Sequence, residues 1–262
     1  MSLTTTPRAR LALLAVALGG LVALGVPLLP SIAGPGSGDS SADAEFHPVG
    51  GDGSLPKHAP RLRSTDAPLS VAERGYAIHL AQQAMPAEAR DVLGMPGGEV
   101  LGADLPPIED RGTERRATVS IYDYTSDRLS QALVDLAAGS VLRSREVRGL
   151  QLPPSIAETT IATQLALAAD PAPAFLEEYR QATGAPLVAA EQVHAVAGVW
   201  RSIADDAAPV GPTKVCGRDR CLQLLLALPS GQYLGTQDFA VDLSSRTVLP
   251  VGPAQLEHHH DN

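Results

Sequence analysis

The chain repeats itself, and that repeat limits what it can fold into. The stretch Pro68-Leu-Ser-Val-Ala-Glu-Arg-Gly-Tyr-Ala-Ile-His-Leu-Ala-Gln-Gln-Ala84 aligns with Pro153-Pro-Ser-Ile-Ala-Glu-Thr-Thr-Ile-Ala-Thr-Gln-Leu-Ala-Leu-Ala-Ala169 at an offset of 85 (Pro68 to Pro153). Pro, Ser, Glu, Leu and four Ala recur in place. Each copy has Ser followed three residues later by Glu, the signature of a capping box. Ser70 and Ser155 are therefore expected as helix N-caps, with Glu73 and Glu158 reaching back to them. Val71, Ile78 and Leu80, then Ile156, Ile161 and Leu165, are expected to form the buried face of each helix.

A second match follows in the same order. Val134-Asp-Leu-Ala-Ala-Gly-Ser-Val-Leu142 aligns with Val241-Asp-Leu-Ser-Ser-Arg-Thr-Val-Leu249 at an offset of 107 (Val134 to Val241). Each reads as strand, polar turn, strand. The larger offset requires an insertion in the second copy, for which the Pro- and Gly-rich stretch 170–186 is suited. Expected strands are Ala117–Tyr124, Ser130–Leu136 and Val141–Val147, then Val193–Trp200, Leu222–Leu228, Thr236–Leu243 and Thr247–Val251. The fold class is α+β: two consecutive units, each a helix packed on an antiparallel sheet. The units are placed at 68–150 and 151–252. Residues 34–67, rich in Gly, Ser, Asp and Pro, are expected to be a flexible linker, and 253–262 a disordered tail.

The N-terminus places the chain outside the cytoplasm. Arg8 and Arg10 precede an uncharged, mostly apolar run, Leu11 to Pro30, and Ser31-Ile32-Ala33 offers small residues for cleavage after Ala33. The run also has the length to span a bilayer. Residues 1–33 are thus a signal peptide or a retained signal anchor in contact with the membrane, with the rest secreted or membrane-anchored. Outside the cytoplasm Cys216 and Cys221, the chain's two cysteines, are expected as a structural disulfide. The other reading is a redox or copper(I) thiolate site. A net charge of −9 repels phosphate backbones and argues against nucleic acid as a partner.

The stretch Arg116-Ala-Thr-Val-Ser-Ile-Tyr-Asp-Tyr124, its continuation through Leu142, and Gln151-Leu-Pro-Pro-Ser-Ile-Ala-Glu158 resemble the small N-terminal domains of copper amine oxidases. In that family two cystatin-like α+β domains precede a large catalytic domain. The resemblance implies two cystatin-like units here, without that catalytic domain. Thr118-Val-Ser-Ile121-Tyr122-Asp123-Tyr124 also resembles the family's quinone-forming motif, with Ile121 where the motif has Asn. Tyrosine oxidation needs copper beside the ring and no nearby ligands are visible in the sequence, so the alternation of Val119 and Ile121 inward with Ser120 and Tyr122 outward is read as a plain strand.

Other candidate chemistry is thin. His258, His259 and His260, flanked by Glu257 and Asp261, form a candidate surface site for copper, nickel or zinc, or a remnant of an appended tag. His79 reads as a partly buried helix residue, and His194 has no visible partner. Glu177-Glu178 and Asp205-Asp206 read as solvated carboxylates, and Pro229-Ser230-Gly231 as a hairpin turn. No Gly-x-Ser-x-Gly and no phosphate loop is present. The function that follows is a non-catalytic, extracytoplasmic binding or accessory module with a protein partner in the cell envelope and no cofactor, copper being the candidate exception. The alternatives are a copper-binding or quinone/redox protein related to amine oxidases, and a membrane-anchored structural or regulatory protein of the cell envelope.

Overall fold

The computed structural model describes residues 54–200 and 211–252. The signal or anchor segment, most of the linker, Asp205-Asp206 and the His258–His260 tail lie outside the described residues. Helix α1 (Val71–Gln83) is followed by β1 (Glu99–Asp104), a single turn α2 (Ile108–Arg111), β2 (Arg116–Asp123), β3 (Arg128–Asp135) and β4 (Ser140–Val147). The second repeat contains α3 (Ile156–Leu167), α4 (Ala174–Thr183), β5 (His194–Val199), β6 (Cys221–Ala227), β7 (Phe239–Asp242) and β8 (Thr247–Pro250). Two four-stranded antiparallel sheets result, ordered β1-β2-β3-β4 and β5-β6-β7-β8. The α+β fold of two helix-on-sheet units is thus observed. No helix among the described residues is long and apolar enough to cross a membrane.

Helices α1 and α3 start as the capping boxes dictate. Ser70 Oγ accepts from the Glu73 N–H at 3.2 Å, and the Glu73 carboxylate accepts from the Ser70 N–H at 2.7 Å. In the second repeat the same two bonds are 3.0 and 2.8 Å. The buried faces differ from expectation. Val71 and Ile156 occupy the first helical position and are 58% and 62% exposed. The stripes that meet the sheets are Ala77, Ile78 and Ala81, then Ile161, Ala162 and Ala166. Alanine on a helix allows close approach to a sheet. The first core therefore joins α1 to Ala117, Val119, Ile121 and Val134, and the second joins α3 to Leu222, Leu224 and Leu226. In the second, α4 adds Phe175, stacked on Phe239 at 5.7 Å between centroids. Helix α4 lies in the insertion that the unequal repeat offsets require.

The carboxylates of the two capping boxes do a second job. Glu73 and Glu158 are fully buried, and each faces a buried arginine just before a central strand. Arg115 Nε and Nη2 donate to the two Glu73 oxygens at 2.9 and 3.1 Å. Arg220 does the same to Glu158, at 2.7 Å for both. The remaining guanidinium hydrogens go to the chain entering each helix: from Arg115 to the carbonyls of Ser64, Thr65, Ala67 and Pro68, and from Arg220 to Gln151, Leu152 and Pro153. Residues 54–67, assigned to a flexible linker from composition, are therefore laid against the first repeat. Leu55 and Leu62 pack on its core, and the Arg63 N–H donates to Glu73.

The strand-turn-strand repeat holds in detail. Asp135 accepts from the N–H groups of Ala137 and Ala138, as Asp242 does from Ser244 and Ser245. Both turns need a left-handed residue, supplied by Gly139 (φ 65°) and by Arg246 (φ 56°). A non-glycine residue is strained there, and the Arg246 guanidinium also donates to the Val92 carbonyl.

Removing one partner of a buried ion pair strands the other charge, at a cost of about 3–5 kcal/mol. Arg220→Met is expected to lower stability by that amount in urea unfolding; a loss below about 1 kcal/mol would show that Glu158 does not depend on it. Burial pushes the Glu73 carboxyl up, but Arg115 and the N–H groups of Arg63 and Ser70 outweigh it and hold it at about 2, below its ordinary 4.5. A depressed carboxyl stabilises the fold above the ordinary value and loses that contribution as pH falls toward the folded one. Stability is expected to fall between pH 4.5 and about 2, and Glu73→Gln to flatten that segment of the profile. An unchanged segment in that variant would reject the assignment.

Candidate functional site

Two places concentrate the residues with functional potential: the joint between the repeats and the free edge of the second sheet. The joint is where the resemblance to the quinone motif points. Tyr122, expected to face outward on β2, is 1% exposed. Val119 and Ile121 do face the first core, but Ser120 and Tyr122 on the opposite face are buried as well. Tyr122 Oη donates to Asp127 at 3.2 Å, and Ser244 from the second repeat donates to the same carboxylate at 2.5 Å. The Arg220 guanidinium lies 5.3 Å from the Tyr122 ring centroid, and Tyr124 meets that ring edge-on at 5.0 Å. Tyr124 Oη then donates to Glu158 at 2.6 Å. The buried ion pair of the second repeat is thus tied to a strand of the first.

The electrostatics of the joint are those of a largely buried polar contact, with Tyr122 and Glu158 buried and Tyr124, Asp127 and Ser244 half-buried. Burial, reinforced by Asp127, pushes the Tyr122 phenol above its ordinary range, and burial with Glu158 does the same to Tyr124. Burial also raises Glu99, which accepts from the Val92 N–H, and Asp127. These residues do not fit a copper centre at Tyr122. A guanidinium cation occupies the position beside the ring, and two carboxylates there are already committed to hydroxyl donors. Among the described residues no group of three or more His, Cys, Asp and Glu is arranged to hold a metal.

The other residues singled out in the sequence are dispersed. Cys216 and Cys221 form a disulfide. It closes a short loop, and with Trp200, Ala240 and Val251 it forms a small apolar cluster on one face of the second sheet. His79 is half-buried on α1, and His194 is exposed at the start of β5. Glu177 pairs with Arg180 on the exposed side of α4, and Glu178 accepts from the Gly235 N–H. Ser230 lies in the hairpin turn after β6, where the Gly231 N–H donates to the Leu228 carbonyl.

The second place was not singled out in the sequence. Strand β5 pairs with β6 from His194↔Ala227 to Val199↔Leu222 without a register shift, and it is an edge of its sheet. The Trp200 N–H donates to the Cys221 carbonyl, so His194, Val196 and Gly198 spend their backbone groups on β6. By the alternation of an antiparallel ladder, Ala195, Ala197 and Val199 point theirs away from the sheet. Beside this edge runs an open groove of about 360 Å³, bounded by Ile156, Thr159, Thr160 and Thr163 of α3 and by Ala195 and Ala197.

Comparison with known proteins adds little to this geometry. No family model matches the chain, and no curated protein matches it. Among solved structures, a copper-containing benzylamine oxidase from Hansenula polymorpha is similar at 16% identity and a TM-score of 0.44. The match covers 72% of this chain and 30% of the oxidase. It is an enzyme of the kind the sequence resembles, but a likeness of that size carries no functional argument.

The disulfide gives a direct check on the second site's scaffold. Closing a loop this short is worth about 2 kcal/mol through the unfolded chain. The double variant Cys216→Ser with Cys221→Ser is expected to lose about that much in urea unfolding while keeping its circular dichroism. In the native protein, alkylation without prior reduction should add no mass; two alkyl adducts would contradict the pairing.

Proposed function

We propose that this chain is a non-catalytic binding module that works outside the cytoplasm and engages protein by adding a strand at β5. The observation that carries this reading is the contrast among the four sheet edges of the described residues. Natural sheets block their edges with charge, bulges, proline or shortness. Strand β1 has a register shift between Val100 and Gly102 and carries Glu99 and Asp104. Strand β4 carries Arg143, Arg145 and Glu146, with Arg143 paired to Asp110, and has a shift opposite Leu133 and Val134. Strand β8 has four residues and ends in Pro250. Strand β5, His-Ala-Val-Ala-Gly-Val, has none of these devices. Its outward N–H and C=O groups lie beside a groove of methyl and hydroxyl groups, the arrangement that strand addition uses.

Placement outside the cytoplasm is supported by the positive segment and apolar run at the N-terminus and by the disulfide, which oxidising compartments favour. The tyrosines and carboxylates of the joint are spent on holding the two repeats together, which supports a scaffold rather than a catalyst.

A labelled peptide copying residues 193–200 serves as the probe. In fluorescence anisotropy it is expected to saturate with the full chain and to bind at least about tenfold more weakly to Ala197→Pro, since about 1.4 kcal/mol is a factor of ten. That substitution removes an outward N–H and leaves the β5–β6 ladder its bonds. Equal affinity for the two proteins, or no saturation with either, would reject strand addition at β5.

A further inference from the structure

We infer that the strand added at β5 is β5 of a second copy, so that two chains join their second sheets into one eight-stranded antiparallel sheet. This rests on the strand-addition reading and names its occupant.

The register makes the edge complementary to itself. A two-fold axis perpendicular to the sheet, through Ala197, pairs Ala197 with Ala197 of the second copy as a hydrogen-bonded pair. Ala195 then exchanges both bonds with Val199 of the second copy, and Val199 with its Ala195. These are the three residues whose backbone groups point outward. In the intervening pairs Val196 faces Gly198, and the missing side chain makes room for the valine where strands come closest. On one face Val196 would lie diagonally across the axis from Val196 of the second copy, each backed by its ladder neighbour Leu225; the two residues are 62% and 48% exposed. On the other face the axis sets α3 beside its copy, with Ile156, Thr159 and Thr160 on the facing sides.

Charge selects this edge for self-association. A chain of net charge −9 repels a second copy over most of its surface. A two-fold contact sets residues near the axis against themselves, so any charge there meets its like. Strand β5 and the α3 residues facing it carry no ionisable group apart from His194 at the strand's start, and the groove's one acid, Glu191, lies six residues before Ala197. With one unprotected edge among the described residues, the contact closes after one pairing and gives a dimer and no fibre.

The test is sedimentation equilibrium on the full chain, as wild type, Ala197→Pro and Val196→Lys. The second variant leaves every β5–β6 bond in place and puts two like charges beside the axis. The inference predicts the mass of two chains for the wild type at tens of micromolar. It predicts at least about a tenfold weaker association in both variants, with unchanged circular dichroism. Wild type at the mass of one chain overturns the second-copy inference. Peptide binding at β5 in that same protein would then leave strand addition standing, and its absence would remove both. A dimer equally stable in both variants overturns it too, because the contact would lie elsewhere.

Discussion

A buried carboxylate held by two parallel hydrogen bonds from a buried guanidinium organises each half of this molecule. Taking two charges out of water is expensive, and the arrangement persists because every remaining hydrogen is used. Glu73 caps its helix, binds Arg115 and receives the Arg63 N–H, while Arg115 gathers four carbonyls of the incoming chain. Glu158 and Arg220 repeat the device. One ion pair thus fixes three things together: where the helix begins, how the preceding chain runs, and where the central strand starts. The cores around it can then be built from Ala, Leu, Val and Ile with few aromatic side chains.

The joint between the repeats borrows the same device. Tyr124 leaves the end of β2 and donates to the carboxylate that Arg220 already holds. Tyr122 and Ser244 share Asp127 beside it. A motif that in sequence resembles a cofactor-forming tyrosine is here a mortise between two units. The decisive difference is the company it keeps: a guanidinium over the ring and a neighbouring helix cap.

Much of this was legible in the sequence. The capping boxes, the hairpin pair, the antiparallel strands from β2 onward and the cysteine pairing all follow from local rules acting on adjacent residues. What escaped was non-local. Arg115 and Arg220 find their glutamates 42 and 62 residues away, beyond any periodicity. A signal existed, since both arginines directly precede a central strand of the repeat. Strand β1 is short, interrupted by Gly102 and flanked by acids, so it lacks the β-branched alternation that marks a strand. Val71 and Ile156 look like core residues by type, but at the first helical position, beyond the stripe that meets the sheet, they are left exposed. The groove at β5 could not be read either, because an edge is defined by which strands do not come next to it.

The two halves, alike in construction, differ in how their edges are finished, and this difference carries the functional reading. The first sheet is closed to pairing by charge and bulges on both sides; the second leaves β5 plain. Amide hydrogen exchange across a concentration series tests that most directly. The account predicts that the outward amides of Ala195, Ala197 and Val199 gain protection as the protein is concentrated, while the outward amides of β4 exchange at a constant rate. Exchange at β5 that is fast and independent of concentration would contradict it.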